Sequence, residues 1–292
     1  MNASPAFAWL DGTVLPFEEA RLPLSDRGLL LGDALFETMA VIDGRPFALE
    51  SHLERMAHGL DFAGFRGSPS HADLVGAVAA VIGAEVTAGS SRHGVLRITV
   101  TRGPGRRGYS PRDAGPAHAF VVFHPGPLPC EPHPGWRLRT SSFRVLHGDP
   151  LASFKHGSRM LHVLARAEAE ASDADEALLL NDLGRPAECA SGNLLWMEDG
   201  RLCHADPDSG ALAGVTQAIV LGLADGLGIP HGPSASGLPL ADRLATGGAM
   251  VVLSTLGVVP VASIDGRPCH QAGATRLLAE ALRARMLGAT AT

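Results

Sequence analysis

Lys155-His156-Gly157-Ser158-Arg159 holds the one lysine of a 292-residue chain. Lysine is common enough in soluble proteins that roughly a dozen would be ordinary at this length. Of the 24 Lys+Arg residues the other 23 (24 − 1) are arginine, so guanidinium groups supply nearly all the positive charge. The retained ε-amine is a candidate for chemistry that arginine cannot do. It can lose its proton when desolvated and attack a carbonyl, whereas guanidinium stays charged and is no nucleophile. A Schiff base with pyridoxal phosphate is the use that fits best. A chain that simply disfavours lysine would give the same count, so the flanking residues decide.

On the N-terminal side, Leu35–Ile42 is apolar and β-prone, and Asp43-Gly44 makes a turn. Ser51–Phe65 reads as a helix capped by Ser51, with Glu54 at the capping-box position and Leu53, Met56 and Leu60 on one face. Gly94–Thr101 and Ala119–His124 read as strands. Pro125–Gly135 holds five prolines, which fix φ and remove donors, so it reads as an extended linker. Beyond it, Trp136–Val145 is a strand, and an Ala-rich helix over about 158–171 follows the lysine. Ala177–Asn181, Asn193–Glu198, Arg201–His204, Met250–Ser254 and Val258–Ser263 are further strands, with helices near 217–227 and 273–287. Hairpins without a steady βαβ alternation predict an α+β fold. The expected organisation is a smaller domain over 1–124, a linker over 125–135, and a larger domain over 136–292 that carries the lysine.

Composition narrows the function. A net charge of −6 argues against a nucleic-acid or anionic-membrane partner. Four scattered cysteines without a CxxC pair, and thirteen histidines without HExxH spacing, point to no disulfide and no metal. Neither a signal peptide nor a membrane span is read from the chain, so a cytoplasmic protein is expected.

Three further segments carry possible chemistry. Gly103-Pro-Gly-Arg106-Arg107-Gly108 is a literal GxGxxG after a strand, but Tyr109-Ser110-Pro111 opens no helix, so it fails as a dinucleotide site. A loop carrying Arg107 and Tyr109 suits a substrate carboxylate or is a solvated turn. Gly214-Val215-Thr216 precedes a helix, with Thr216 as the expected N-cap; its free N–H groups suit a phosphate, and plain capping is the simpler use. Glu188, between two apolar strands, could hold a pyridinium nitrogen protonated or form a salt bridge with Arg185.

Together these segments resemble the class IV (fold-type IV) pyridoxal-phosphate enzymes, among them branched-chain and D-amino-acid aminotransferases and 4-amino-4-deoxychorismate lyase. The run Ser25 to Thr38 looks like the family's N-terminal motif, and His52-Leu-Glu-Arg55 like its HLxR helix. Lys155 falls at the Schiff-base position, and Glu188 with Asn193 matches an E-x4-N stretch. Gly214-Val215-Thr216 and Ser254-Thr255 resemble its two phosphate turns. The resemblance implies a two-domain fold and pyridoxal 5'-phosphate as cofactor. It implies cofactor contacts from Arg55, Glu188, Asn193, Val215, Thr216, Ser254 and Thr255. It also implies a homodimer acting on a small amino substrate that bears a carboxylate.

Within the family, Lys155-His156 with Arg159, the Arg102–Ser110 loop and the Asp175–Trp196 stretch look like the lyase. Phe36 stands where D-amino-acid aminotransferases carry tyrosine. Ser158 in place of the lyase's usual asparagine, and Gly247-Gly248 near a common acidic pair, depart from the pattern. The lyase resemblance implies conversion of 4-amino-4-deoxychorismate to 4-aminobenzoate and pyruvate. Lys155 would be the base, Thr38 would assist the leaving group, and Phe36, Arg107 and Tyr109 would contact substrate. Transamination of a D- or branched-chain amino acid is the alternative, and a non-catalytic phosphate binder the reading from another class.

Overall fold

The computed structural model describes residues 4–234, 248–270 and 273–288; Gly247 lies outside the described residues. The chain forms two units, Met1–Pro129 with Phe154–Arg159, and Cys130–Ser153 with Met160–Thr292. The division falls inside the proline-rich run. Lys155 groups with the first unit, whereas the sequence places it on the larger C-terminal domain. The reason is local pairing: Phe36 N–H donates to Lys155 O (2.9 Å) and Gly157 N–H to Ala34 O (2.6 Å).

In the first unit the strands are β1 (Phe7–Leu10), β2 (Thr13–Pro16), β3 (Ala34–Ile42), β4 (Arg45–Pro46), β5 (Gly94–Thr101) and β6 (His118–Pro125). They form a sheet in the order β2-β1-β6-β5-β3-β4. A short helix α1 (Arg27–Leu31) precedes β3, and α2 (Leu49–Phe62) and α3 (His71–Thr87) follow β4. Side chains alternate across a strand, so one set of positions faces the helices. Leu35, Met39 and Val41 of β3, Leu96, Ile98 and Val100 of β5, and Val121 and Phe123 of β6 make that buried face with Leu53 and Met56 of α2.

Helix α2 starts two residues earlier than the sequence suggests. Ala48, at φ 53, is its N-cap and makes no side-chain cap, so Ser51 lies inside the first turn rather than capping it. The sequence reading assigns nothing to α3. Its run His71–Thr87 is rich in Val and Ala on every side, with Gly76 and Gly83, so it lacks a clear apolar stripe. A capping box between Ser70 and Asp73 starts it. Near its end, fully buried Glu85 accepts from Ala6 N (2.6 Å), Phe7 N (2.9 Å) and Ser90 Oγ (2.7 Å).

The second unit contains β7 (Trp136–Val145), α4 (Met160–Ala171), β8 (Glu176–Asn181), β9 (Pro186–Cys189), β10 (Asn193–Glu198), β11 (Arg201–His204) and α5 (Val215–Gly226). It continues with β12 (His231–Pro233), β13 (Ala249–Leu253), β14 (Gly257–Ile264), β15 (Arg267–Pro268) and α6 (Gly273–Met286). The sheet order is β12-β11-β10-β13-β14-β7-β8-β9, and β9 pairs again with β10, so the path returns on itself. Its interior is lined by Leu138, Leu178, Leu194, Trp196, Val251 and Val261. Helix α4 packs Ala165 and Ala169 on Ala177 and Leu179 from outside. The helices, the antiparallel first sheet and the mixed second sheet make this an α+β fold, and no described helix is long and apolar enough to cross a membrane.

Removing the Glu85 carboxylate strands two backbone donors of the N-terminal strand. Glu85→Ala is expected to cost about 2–4 kcal/mol in urea unfolding, since it removes hydrogen bonds to a buried charged acceptor, each contributing about 1.5–3 kcal/mol. Equal stability of variant and wild type would contradict that role.

Candidate functional site

In the first unit the site is built on the two faces of β3. On the helix-facing side Glu37 sits among apolar neighbours, 1% exposed. It is tolerated there because Arg55 of α2 donates to it twice, Nε to Oε1 (2.8 Å) and Nη2 to Oε2 (2.6 Å), while His52 Nδ1 lies 2.7 Å from Oε2. Burial alone would raise the Glu37 carboxyl, but the hydrogen bonds from His52 and Arg55 outweigh it and hold the group below the usual carboxylate range. Arg55, the expected phosphate ligand, is thus fixed by a bidentate pair, and His52 is a buried partner of the same carboxylate.

The opposite face carries Phe36 and Thr38. Arg97 of β5, paired in register with Thr38, lays its guanidinium 3.8 Å from the Phe36 ring centroid. Lys155 Nζ stands 4.8 Å and Arg159 Cζ 5.9 Å from the same centroid. Arg97 also donates from Nε to Thr99 Oγ1 (3.3 Å), and no carboxylate among the described residues pairs with it. Burial, then the charge of Arg159, lower its pKa. A cation so placed favours an incoming anion. Sequence reasoning missed Arg97; its signal was an arginine at an alternating position of an otherwise apolar strand.

Arg107 and Tyr109 are exposed on the glycine-rich loop, and no described contact ties them to Phe36 or Lys155. What holds this loop is Arg27, itself buried. Its guanidinium pairs with Asp33 (2.8 Å) and donates to Gly108 O (3.1 Å), Tyr109 O (3.0 Å) and Ser110 O (3.2 Å). Asp26 accepts from Gly28 N, Leu29 N and Thr101 Oγ1, which ties the N-terminal motif to the end of β5.

In the second unit, Glu188 and Asn193 face each other across β9 and β10. Both hold Leu212: its N–H donates to Glu188 Oε2 (3.0 Å), and its carbonyl accepts from Asn193 Nδ2 (2.7 Å). The E-x4-N spacing is therefore what one hairpin needs to grip one residue of the incoming loop. Glu188 Oε1 meets His162 Nε2 at 3.0 Å, so its partner is His162 rather than Arg185. A β-carbon on Gly214 would overlap Asn193 Oδ1, so only glycine lets the loop pass there. Buried Cys189 is no nucleophile; burial, with Glu176 and Glu188 nearby, pushes its thiol well up.

Gly214, not Thr216, is the N-cap of α5, and it offers no side-chain cap. Val215 and Thr216 are the first helical residues, and Thr216 Oγ1 donates to Ser254 Oγ at 2.9 Å. Ser254 and Thr255 occupy the turn between β13 and β14. The two expected phosphate turns thus meet. An uncapped helix N-terminus beside two hydroxyls fits a phosphate. Glu188, with two of its acceptor sites used, can accept a further N–H from a pyridinium ring. The donor set fits pyridoxal 5'-phosphate. Among the described residues no group of three or more His, Cys, Asp or Glu could hold a metal ion.

Because the folded Glu37 carboxyl titrates below its unfolded value, its stabilisation is full above the ordinary glutamate range and is lost as pH falls through the folded pKa. Thermal melts from about pH 7 to about pH 3 should therefore show a shallower acid loss for Glu37→Gln than for wild type. Parallel profiles would contradict the depressed carboxyl.

Residues 34–264 match the family model for amino-transferase class IV. Aminodeoxychorismate lyase of Vibrio harveyi is 29% identical over 88% of this chain and 91% of its own. The crystal structure of 4-amino-4-deoxychorismate lyase from Pseudomonas aeruginosa is 33% identical, covers 96% of this chain and 99% of its own, and superposes with a TM-score of 0.81. A branched-chain amino acid aminotransferase from T.th., solved with pyridoxamine 5'-phosphate, is 25% identical with a TM-score of 0.87 and covers 98% of this chain and 96% of its own. Motifs, fold and relatives agree, and the chain belongs to the class IV aminotransferase family of pyridoxal-phosphate enzymes.

Proposed function

We propose that this chain is a lyase that releases pyruvate from 4-amino-4-deoxychorismate to leave 4-aminobenzoate. The observation that carries this reading is the pair of arginines, Arg97 and Arg159, sharing the Phe36 ring with Lys155. Two guanidinium groups beside the amine suit a substrate with two carboxylates, where an aliphatic amino acid offers one. The similarity to two lyases supports it.

The cofactor supplies the electron sink for the charge that develops at the substrate carbon bearing the amine. Lys155 would hold the cofactor, and its free amine would serve as the base that takes the proton from C4. Thr38, two residues along the strand from Phe36, is on the right face to assist the leaving enolpyruvyl group. Arg97 and Arg159 orient the carboxylates, with Arg107 and Tyr109 as contributions from the loop that Arg27 holds. Glu188 would keep the ring nitrogen protonated, and Asn193 holds the Leu212 segment in place. Arg55, Val215, Thr216, Ser254 and Thr255 would hold the phosphate.

Transamination is the second reading, favoured by the likeness to the branched-chain enzyme and by Ser158 in the lysine run. The test is 4-aminobenzoate formation from enzymatically generated aminodeoxychorismate. The wild type should form product and Lys155→Ala should not. Arg97→Leu should raise KM by about 10- to 100-fold, the worth of a charge-assisted hydrogen bond. A cofactor-loaded wild type that makes no 4-aminobenzoate, yet exchanges amino groups with a donor panel, would replace the lyase with the transaminase.

A further inference from the structure

Helix α4 turns two donors toward the sheet of the second unit. His162 and Arg166 stand one helical turn apart and so share a face, with Ala165 packed beside them on Ala177 and Leu179. Two buried carboxylates meet that face. Glu176 of β8, fully buried, accepts from Arg166 Nη1 (3.2 Å), from Ala177 N–H (2.7 Å) and from the Ser191 hydroxyl. Glu188 of β9 accepts from Leu212 N–H on Oε2 (3.0 Å), and its Oε1 lies 3.0 Å from His162 Nε2.

The two pairs differ in kind. Arg166 brings a fixed charge to a carboxylate that already has two other donors. Glu188 meets an imidazole, which can donate without bringing a charge. An ionised carboxylate only accepts, so the 3.0 Å contact places a proton on His162 Nε2. Hydrogen bonds to both oxygens favour the charged carboxylate over the acid. That bears on any proton shared between Glu188 and a further partner, because each donor on the carboxylate leaves the shared proton with the partner.

We propose that His162 is a positioning residue for the cofactor: its Nε2–H holds Glu188 as an acceptor, so that the proton shared with the ring nitrogen stays on the ring. His162 acts through Glu188 alone. The inference rests on the assignment of Glu188 to the ring nitrogen, and it is indifferent to the choice between lyase and transaminase.

The probe is pyridoxal 5'-phosphate labelled with 15N at its ring nitrogen, read by 15N NMR in the holoenzyme, where protonated and neutral rings are well separated. The wild type should show the protonated position and Glu188→Gln the neutral one. His162→Met fills similar space in the helix without the donor, and should move the signal toward the neutral position. His162→Leu carries the same expectation. His162→Gln, close to methionine in shape but with an amide donor, should keep the wild-type signal. The cofactor dissociation constant should rise about tenfold in His162→Met, as for one charge-assisted hydrogen bond, and little in His162→Gln. If Glu188→Gln moves the signal and the two apolar variants do not, the inference is overturned while Glu188 keeps its assignment. Equal shifts in His162→Met and His162→Gln overturn it too, since the donor is then not the cause. A signal that Glu188→Gln leaves in place overturns the assignment of Glu188 itself, and the inference with it.

Discussion

Two backbone hydrogen bonds set the place of the lysine. Strand β3 is covered by β5 along its length on one side, but on the other β4 reaches only Val41 and Ile42. The open edge at Ala34–Phe36 would leave unpaired donors and acceptors, a condition that sheets rarely tolerate. Lys155 and Gly157 supply the missing partners, with Leu35 opposite His156. Each bond is worth only about 1 kcal/mol, yet together they fix where an otherwise long, flexible amine begins. Phe36 then presents its ring to that amine.

The second unit reaches the same end by a different device. Its loop before α5 has no regular structure, so nothing in its own backbone positions Leu212. Glu188 and Asn193 do so from neighbouring strands, one taking the N–H and the other giving to the carbonyl. A carboxylate that also meets His162 stays anchored while its remaining acceptor capacity points elsewhere. Glu188 is therefore held in orientation by the structure, without needing the cofactor to arrange it.

Much of this was legible beforehand where pattern and structure share a cause. Gly94–Thr101 and Trp136–Val145 follow from residues of high β propensity bounded by turn formers, and both are found with those limits. The ordered motifs marked the family. Helix α3 was not legible because its apolar residues ring the helix instead of striping it. Nor was the start of α2, since Ala48 adopts a left-handed conformation that its side chain does not announce. Glu37 and Arg97 escaped notice because each gains its meaning from a partner far along the chain. A buried carboxylate needs Arg55, and a stacked arginine needs Phe36.

Neighbouring residues 36 and 37 of one strand serve opposite purposes, the ring beneath the amine on one side and the clamp on Arg55 on the other. A strand repeats every two residues, so gaining or losing a single residue at the start of β3 would exchange these two sides at once. The aromatic ring would be driven into the helices and the carboxylate toward the cations. Such a chain loses its core packing and its chemistry in one step, and no later point change restores either alone. This stretch can therefore diverge by substitution, but its length is held constant by the pleat itself.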